Sequence, residues 1–305
     1  MTFSPYGHSS PPSPAVSPAG KTGRGLTVRP AHGATRSVVL LLPGGQVKSL
    51  QPGSPRQLAA VRLRPFAVRL HRAGSGAGLA VWTVRYRYQG WNGEQASPLA
   101  DVGWALAEVR RRHGDVPVIL VGHSMGGRTA LRAAGDQSVR AVLGLAPWLP
   151  DGEPVDQLAG RRVLIAHGSL DRVTSPQASA AYVERARRVT DRVDFVRVRG
   201  DTHAMLLRPA AWNRVVTRFV RENNLRLAVT AGSLPPSGSR PCSWVADRDP
   251  RRPAVAGPGL PGVPQSAVAA DDEQLQPPVA AGGKNGRAKQ PGHRRSVPTL
   301  KVNQK

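Results

Sequence analysis

The sequence predicts an α/β fold in which a mostly parallel central sheet carries helices on both faces. Between residues 34 and 228, short apolar runs alternate with longer segments that carry apolar residues at helical spacing. Runs that are apolar on both faces favour strands inside a parallel sheet, because helices cover both sides of such strands. Strands alternating with helices at this rhythm indicate repeated βαβ units. The predicted strands are Ser37–Leu42, Leu79–Arg87, Val116–Val121, Val139–Leu145, Val163–Ala166 and Val193–Val198.

Three of the intervening segments begin with serine followed by proline, at residues 54–55, 97–98 and 175–176. A serine hydroxyl can accept a hydrogen bond from a free amide of the first helical turn, and proline there removes no needed donor. These pairs therefore predict helix starts. The segment that follows Pro55 is less regular, because Pro65 is expected to kink or break a helix.

The composition divides the chain into three parts. Residues 1–33 and 229–305 are rich in Pro, Gly and Ser and poor in periodic apolar pattern, so both are expected to be disordered. Residues 34–228 form the predicted folded domain, which has a normal size for one hydrophobic core. Two other interpretations of the C-terminal segment stay open: a basic binding arm, or a reading frame that runs past the ancestral end of the domain.

The chain carries a formal net charge of +24, which by itself would favour binding to nucleic acid or to anionic membranes. Only six of the 43 basic residues are lysine, however, and the arginines are scattered rather than clustered. GC-rich codons produce such an arginine bias without selection for a partner. We therefore predict no specific nucleic-acid or membrane partner, and only weak adhesion to polyanions.

Cysteine content and apolar runs indicate the compartment. Cys242 is the single cysteine, so no intrachain disulfide can form. The first residues lack the apolar stretch of a signal peptide, and no apolar run has the length of a membrane span. We expect a cytoplasmic protein. No residues have metal-site or nucleotide-loop spacing, so neither metal nor cofactor is expected.

The strongest functional signal is the segment Gly122-His123-Ser124-Met125-Gly126. This G-x-S-x-G pattern follows a predicted strand and precedes a predicted helix, which is the setting of a nucleophile elbow. The glycines leave room for a sharp turn that lifts the Ser124 hydroxyl above the carboxyl end of the sheet. The amide of Met125 then faces the position where an oxyanion would form. Ser124 is therefore the candidate nucleophile.

With this motif in its predicted setting, the sequence resembles the α/β-hydrolase family over about residues 36–223. That family orders its catalytic residues as nucleophile, acid and histidine. The resemblance implies that Asp171, in an H-G-x-x-D pattern, is the acid, and that His203, in a G-x-x-H pattern, is the base. Asp171 would orient the imidazole, and His203 would deprotonate Ser124.

The resemblance also locates the second donor of an oxyanion hole, in the loop after the first predicted strand. Relatives often have His-Gly there, whereas this chain has Pro43-Gly44, a change that leaves a backbone donor in place. The oxyanion hole is thus expected to consist of the amides of Gly45 and Met125, with Gln46 as the alternative to Gly45.

Other polar residues near these motifs are weaker candidates. Asp191 precedes the strand Val193–Val198 and Asp194 is its second residue, so both lie at the strand end opposite to the expected site. His123 is expected to pack or form a hydrogen bond within the elbow, and His167 is expected to be structural.

The spacing of the motifs indicates the shape of the site. Asp171 follows Ser124 by only 47 positions, which leaves residues 146–160 as the only space for a cap. We expect a minimal cap or none, and an open site. The expected rim residues are Trp91, Trp148 and Met205.

An open site of this kind favours a small or medium acyl substrate and the chemistry of a carboxylesterase, a lipase-like enzyme or a thioesterase. The resemblance implies cleavage of an ester or thioester through an acyl-enzyme. A peptidase, amidase or acyltransferase on the same fold remains an alternative. A different class also stays open: a non-catalytic or polyanion-binding protein that uses the basic surface and tail.

Overall fold

The structure, a computed structural model, describes residues 23–230, with side chains through residue 224. Seven strands and five α-helices make up this part of the chain. The strands are β1 (Gly25–Arg29), β2 (Ser37–Leu42), β3 (Leu79–Arg85), β4 (Val118–His123), β5 (Val139–Leu145), β6 (Arg162–Gly168) and β7 (Val193–Val198). The helices are α1 (Leu58–Gly74), α2 (Ser97–His113), α3 (Met125–Arg132), α4 (Pro176–Ala186) and α5 (Pro209–Thr230).

The strands form one sheet in the order β1-β3-β2-β4-β5-β6-β7. The strands β2 to β7 pair in parallel, and β1 pairs antiparallel with β3. The predicted α/β fold with a mostly parallel sheet is confirmed. Of the tails predicted at residues 1–33 and 229–305, residues 1–22 and 231–305 lie outside the described residues, and Cys242 lies there too.

The strand β1 was not predicted from the sequence. It pairs with β3 from Gly25 opposite Arg85 to Arg29 opposite Val81, and none of its residues is buried. Backbone pairing with β3 holds this edge strand. Its only apolar side chains are Leu26, which packs partly against the core, and Val28, and two alternating apolar residues are too few to predict a strand. The predicted disorder of residues 1–33 is wrong for residues 25–29.

The sheet is buried on both faces. Successive residues of β2 point to opposite sides, so Val38 and Leu40 belong to the core that includes residues of α2, α3 and α4, whereas Val39 and Leu41 belong to the core that includes residues of α1 and α5. All six residues of β2 are buried. This two-sided burial explains why the central strands are uninterrupted apolar runs in the sequence.

Helix α1 passes through Pro65 without ending, so the expected break does not occur. Pro65 and Val61 both lie on the exposed side of the helix. Because proline has no backbone N–H, the carbonyl of Val61 has no amide at residue 65 from which to accept a hydrogen bond. Water can satisfy that carbonyl. Leu63 and Phe66 remain buried against the sheet on the opposite side.

The three serine–proline pairs differ in their roles. Ser175 caps α4, since its hydroxyl accepts a 3.0 Å hydrogen bond from the amide of Ala178. Helix α2 starts at Ser97 itself, without a side-chain cap. Helix α1 starts only at Leu58, after the pair at residues 54–55.

The connection between β5 and β6 contains one short 3-10 turn, Asp156–Leu158, and no α-helix. The prediction of a minimal cap or none is confirmed for this connection. The connection packs against the elbow helix through Glu153, which is buried and forms a 2.8 Å ion pair with Arg128 of α3.

Candidate active site

Ser124 lies in a sharp turn between β4 and α3, with a strained backbone conformation of φ 54° and ψ −118°. The neighbouring glycines permit this turn. A Cβ atom at Gly122 would lie 2.0 Å from the carbonyl oxygen of Gly126, and one at Gly126 would lie 2.1 Å from that of Leu42. The G-x-S-x-G spacing is thus dictated by contacts between backbone atoms, as expected for a nucleophile elbow.

The predicted oxyanion hole lies beside this turn. Met125 is the first residue of α3, a position whose amide has no partner inside the helix. Among the described residues, no backbone acceptor takes the amide of Gly45, whereas the amide of Gln46 donates to the carbonyl of Gln89 at 2.8 Å. This engagement makes Gln46 a poorer candidate than Gly45.

Gly45 must be glycine in this arrangement. A Cβ atom there would lie 2.3 Å from the carbonyl oxygen of Gln89 and 2.5 Å from the methyl carbon of Met125. Any larger residue would displace the loop that follows β2. Since Gly45 has no side chain, the backbone of this loop can lie close to the start of α3.

Asp171 lies in the loop after β6, and its carboxylate is fully buried. The oxygen Oδ2 accepts hydrogen bonds from His203 Nδ1 at 2.8 Å and from His167 Nε2 at 3.1 Å. The oxygen Oδ1 accepts from the amides of Val173 at 2.8 Å and Thr174 at 3.0 Å. Because both oxygens accept hydrogen bonds, these donors together hold the carboxylate in one orientation.

These contacts decide the charge of Asp171. Burial alone would raise its pKa, but the hydrogen bonds from His167, His203 and the two amides together hold the pKa well below its usual range. Asp171 is therefore an anion at neutral pH, and a fixed negative charge lies beside the His203 ring.

The hydroxyl of Thr174 joins the same network, although the sequence analysis did not single it out. Its Oγ1 lies 3.0 Å from Asp171 Oδ2, 3.1 Å from His203 Nδ1 and 3.2 Å from the carbonyl oxygen of Ala146. It links the acid loop to the end of β5. The contact depends on the tertiary fold, so no sequence pattern marked it.

His203 is positioned by His123 as well as by Asp171. The ring nitrogen Nε2 of His123 donates a 3.0 Å hydrogen bond to the backbone carbonyl of His203, and the two ring centres are 4.8 Å apart. Because His123 directly precedes Ser124, this contact ties the predicted base to the predicted nucleophile.

The protonation state of His123 follows from its surroundings. Burial, and then the nearby His203, lower the pKa of His123 to about 3. The ring is therefore neutral, and since Nε2 holds the proton that it donates, Nδ1 carries a lone pair. That Nδ1 atom is buried without a partner among the described residues, next to Gly44.

Among the hydrogen bonds of the described residues, none joins the Ser124 hydroxyl to His203. Catalytic hydrogen bonds are often long in unliganded enzymes and tighten when substrate binds. The structure thus brings Asp171 and His203 into direct contact, and Ser124 directly follows His123, whose ring contacts His203.

A second buried carboxylate, Asp201, lies two positions before His203 and was missed by the sequence analysis. It accepts hydrogen bonds from the Trp212 indole at 2.8 Å and from the amides of Thr202 and Arg208, each at 2.7 Å. Asp201 thus fixes the loop that carries His203 to the start of α5. It cannot serve as the acid, because these donors occupy it.

The remaining predicted residues have structural contacts. His167 bonds to Ser179 through Nδ1 at 2.8 Å, as expected of a structural residue. Asp194 of β7 forms a 2.7 Å ion pair with Arg162, at the first residue of β6, whereas Asp171 follows the last residue of β6. Asp191 is exposed and lies 3.8 Å from Arg192.

The expected aromatic rim is wrong for Trp91. This side chain is 3% exposed and belongs to the core. It meets Trp148 edge to face at 6.2 Å, and the guanidinium of Arg128 lies over both rings, at 3.9 and 4.6 Å. Through the contacts with Arg128, these two aromatic rings pack the segment after β5 against α3. Met205 is also buried, at 4% exposed.

Neither a metal centre nor a membrane helix occurs in the described part of the chain. Between residues 23 and 224, no group of three or more His, Cys, Asp or Glu side chains is arranged to hold a metal ion. No helix between residues 23 and 230 has the length and apolar character needed to cross a bilayer.

Known structures share this fold. An alpha-beta serine hydrolase homologue from Coxiella burnetii is 19% identical with a TM-score of 0.51, covering 66% of this chain and 94% of its own. Est1E from Butyrivibrio proteoclasticus is 15% identical with a TM-score of 0.50, covering 67% and 95%. Esterase 2 from Thermogutta terrifontis, phosphonylated by cyclosarin, is 17% identical with a TM-score of 0.51, covering 70% and 91%.

Sequence comparison gives the family. The chain has no match among the curated proteins with which it was compared. The model of the alpha/beta hydrolase family matches residues 39–296, which is most of the sequence. The chain belongs to the alpha/beta hydrolase family.

Proposed function

We propose that the chain is a serine hydrolase that cleaves an ester or thioester of a small or medium acyl group. In this proposal Ser124 is the nucleophile, His203 is the general base and Asp171 orients and stabilises the His203 ring. One observation carries the proposal: the buried, ionised Asp171 bonds directly to His203 at 2.8 Å beside the strained turn of Ser124.

In the first half of the reaction, His203 Nε2 takes the proton of the Ser124 hydroxyl as Oγ attacks the acyl carbon. The carbonyl oxygen becomes an oxyanion, to which the amides of Gly45 and Met125 donate. The tetrahedral species then collapses, the bond to the leaving group breaks, and the imidazolium returns its proton to that group. The product of this half is an acyl-Ser124 ester.

In the second half, a water molecule attacks the acyl-enzyme while His203 removes its proton. The oxyanion forms again in the same place and collapses, Ser124 regains its proton, and the acid is released. Throughout, Asp171 stays ionised and keeps the proton on Nδ1, so that Nε2 is free to accept a proton from Ser124 or water.

Two observations support an ester or thioester as the bond cleaved. The connection between β5 and β6 carries no α-helix, which leaves the serine side of the sheet without a helical cap from this connection. The Thermogutta protein of the same fold is an esterase that an organophosphonate modifies. Both features support an ester or thioester as the bond that the proposed enzyme cleaves.

The test is hydrolysis of a panel of 4-nitrophenyl esters, acyl-CoA thioesters and aminoacyl amides by the wild type and by Ser124→Ala. We expect turnover of esters or thioesters that is lost in Ser124→Ala. Faster turnover of amides would favour the peptidase alternative, and acyl transfer to an added alcohol in preference to water would favour an acyltransferase. Activity that survives in Ser124→Ala would contradict the proposal.

A further inference from the structure

A cavity of about 320 Å³ lies at the edge of the sheet, between β1, β3, helix α1 and the loop after β2. Thr27 of β1 and Thr83 of β3 face each other across the strand pair and both line it. Neither threonine hydroxyl has a hydrogen-bond partner among the described residues. The cavity therefore offers free polar groups on a fixed strand surface.

The cavity is strongly positive. The guanidinium-bearing residues Arg29, Arg64 and Arg85 line it, and no Asp or Glu does. None of the three forms an ion pair within the described residues; Arg64 instead donates to the carbonyl of Pro55 at 2.9 Å. Uncompensated guanidinium groups around one cavity attract an anion and match the geometry of carboxylate and phosphate oxygens.

The backbone adds to this field. Helix α1 begins at the cavity, and its first turn holds no acidic residue and no side-chain cap. The residues Gln57 and Ala60 at this helix end line the cavity. The amino end of a helix carries partial positive charge, so its dipole and the arginines act in the same direction.

The cavity adjoins the candidate nucleophile. Gly44 lines the cavity, and a Cβ atom at Gly44 would lie 3.3 Å from the Cβ atom of Ser124. A single glycine thus separates the cavity from the serine. The next residue, Gly45, offers the amide proposed for the oxyanion hole. An ester held with its carbonyl oxygen there can extend a substituent into the cavity.

We propose that this cavity binds a carboxylate or phosphate group of the substrate, so that the enzyme prefers negatively charged esters to neutral ones. The proposal rests on the proposed function, because it concerns the same serine. The bound anion is part of the substrate in this proposal, and the alternative outcome is a free anion that binds separately from the substrate.

The test compares 4-nitrophenyl hemiglutarate, which carries a carboxylate, with the neutral 4-nitrophenyl valerate. We expect the ratio of kcat/KM for the charged over the neutral ester to be on the order of tenfold or more in the wild type, and to fall with added salt. Arg29→Gln and Arg85→Gln should each lower this ratio several-fold. Arg69→Gln is the matched control, since Arg69 lies on α1 outside the cavity.

Inorganic phosphate distinguishes the two sources of the anion. Phosphate that binds in the substrate subsite should inhibit hydrolysis of the charged ester competitively, and more weakly in Arg85→Gln. Inhibition that is not competitive would overturn the proposal in favour of a separate anion site. Melting temperatures of the variants near that of the wild type exclude misfolding as the cause of a lower ratio.

The outcomes separate the two proposals. A charged-to-neutral ratio near one in the wild type, or a preference that persists in both arginine variants, overturns the anion subsite while Ser124-dependent hydrolysis stands. If neither ester is hydrolysed in a Ser124-dependent way, the proposed function fails instead. Calorimetric titration of phosphate into wild type and Arg85→Gln then still tests the cavity, and equal binding by both would overturn it.

Discussion

The Nδ1 atom of His203 donates a 2.8 Å hydrogen bond to Oδ2 of Asp171, whose side chain is fully buried. This bond joins the loop after β6 to the loop after β7. It fixes which ring nitrogen of His203 holds the proton, and so leaves the other nitrogen available as a base.

The bond predicts the effect of Asp171→Asn. An amide in place of the carboxylate removes the negative charge beside His203 and can stabilise the wrong tautomer, so kcat/KM for a 4-nitrophenyl ester should fall on the order of 10³- to 10⁴-fold. Asp194→Asn is the matched control, because that carboxylate is partly exposed and pairs with Arg162. Equal activity of the two variants would rule out Asp171 as the acid.

The close approach at Gly45 predicts a loss of transition-state stabilisation in Gly45→Ala. The new Cβ atom must displace the loop from the carbonyl of Gln89, only 2.3 Å away, and with it the proposed donor amide. We expect kcat to fall on the order of 10²- to 10³-fold with a smaller change in KM.

Gly103→Ala is the control for that experiment. Gly103 lies on the exposed side of α2, with no atom near the added Cβ. Activity should be unchanged, and the free energy of unfolding should rise by about 0.5 to 1 kcal/mol because alanine favours the helix. A Gly45→Ala variant as active as Gly103→Ala would remove Gly45 from the oxyanion hole.

The pKa of His123, lowered to about 3 by burial, predicts a pH dependence of stability. In the unfolded chain this histidine titrates near pH 6.5. Below that pH the unfolded state binds a proton that the folded state rejects, so the free energy of unfolding falls as the pH falls from about 6.5 toward 4. This one group contributes up to about 1.4 kcal/mol per pH unit.

Chemical denaturation of wild type and His123→Gln between pH 4 and 7.5 measures this contribution. Glutamine cannot titrate but can still donate a hydrogen bond to the His203 carbonyl. The variant should show a flatter decline of stability below pH 6.5. Parallel curves for the two proteins would contradict a neutral, buried His123.

Asp201 predicts a stability effect distinct from that of Asp171. Replacement by alanine leaves the Trp212 indole and two short-bonded amides without their acceptor in the interior. The free energy of unfolding should fall by about 3 kcal/mol. Asp115→Ala, at an exposed carboxylate that forms no ion pair within the described residues, should change it by less than about 0.5 kcal/mol. Denaturant titration of both variants checks the difference.

Much of the fold could be predicted because its central strands are buried on both faces. The run Ser37–Leu42 is predictable as a strand because burial on both faces makes it short, rich in valine and leucine and almost uninterrupted in apolar residues. The strand β1 could not be predicted, because it is short, is held by pairing with β3 and has only two apolar residues, neither of them fully buried. The unbroken helix α1 depends on the exposure of Pro65, which the sequence does not reveal.

The candidate site shows the same division. Ser124, Asp171 and His203 each lie in a short motif after a strand, so local patterns together with the family resemblance point to them. The hydrogen bond from His123 to His203 joins residues 80 positions apart, and the contact of Thr174 with Ala146 joins residues 28 apart. Such contacts arise only when the loops meet at one edge of the sheet.

The central claim is that Ser124 is a nucleophile activated by His203. Its most direct test is a fluorophosphonate probe followed by peptide mass spectrometry on the wild type and on His203→Ala. The account predicts a covalent adduct on Ser124 in the wild type, formed much more slowly in His203→Ala. No adduct on Ser124, or the same labelling rate in both proteins, would contradict it.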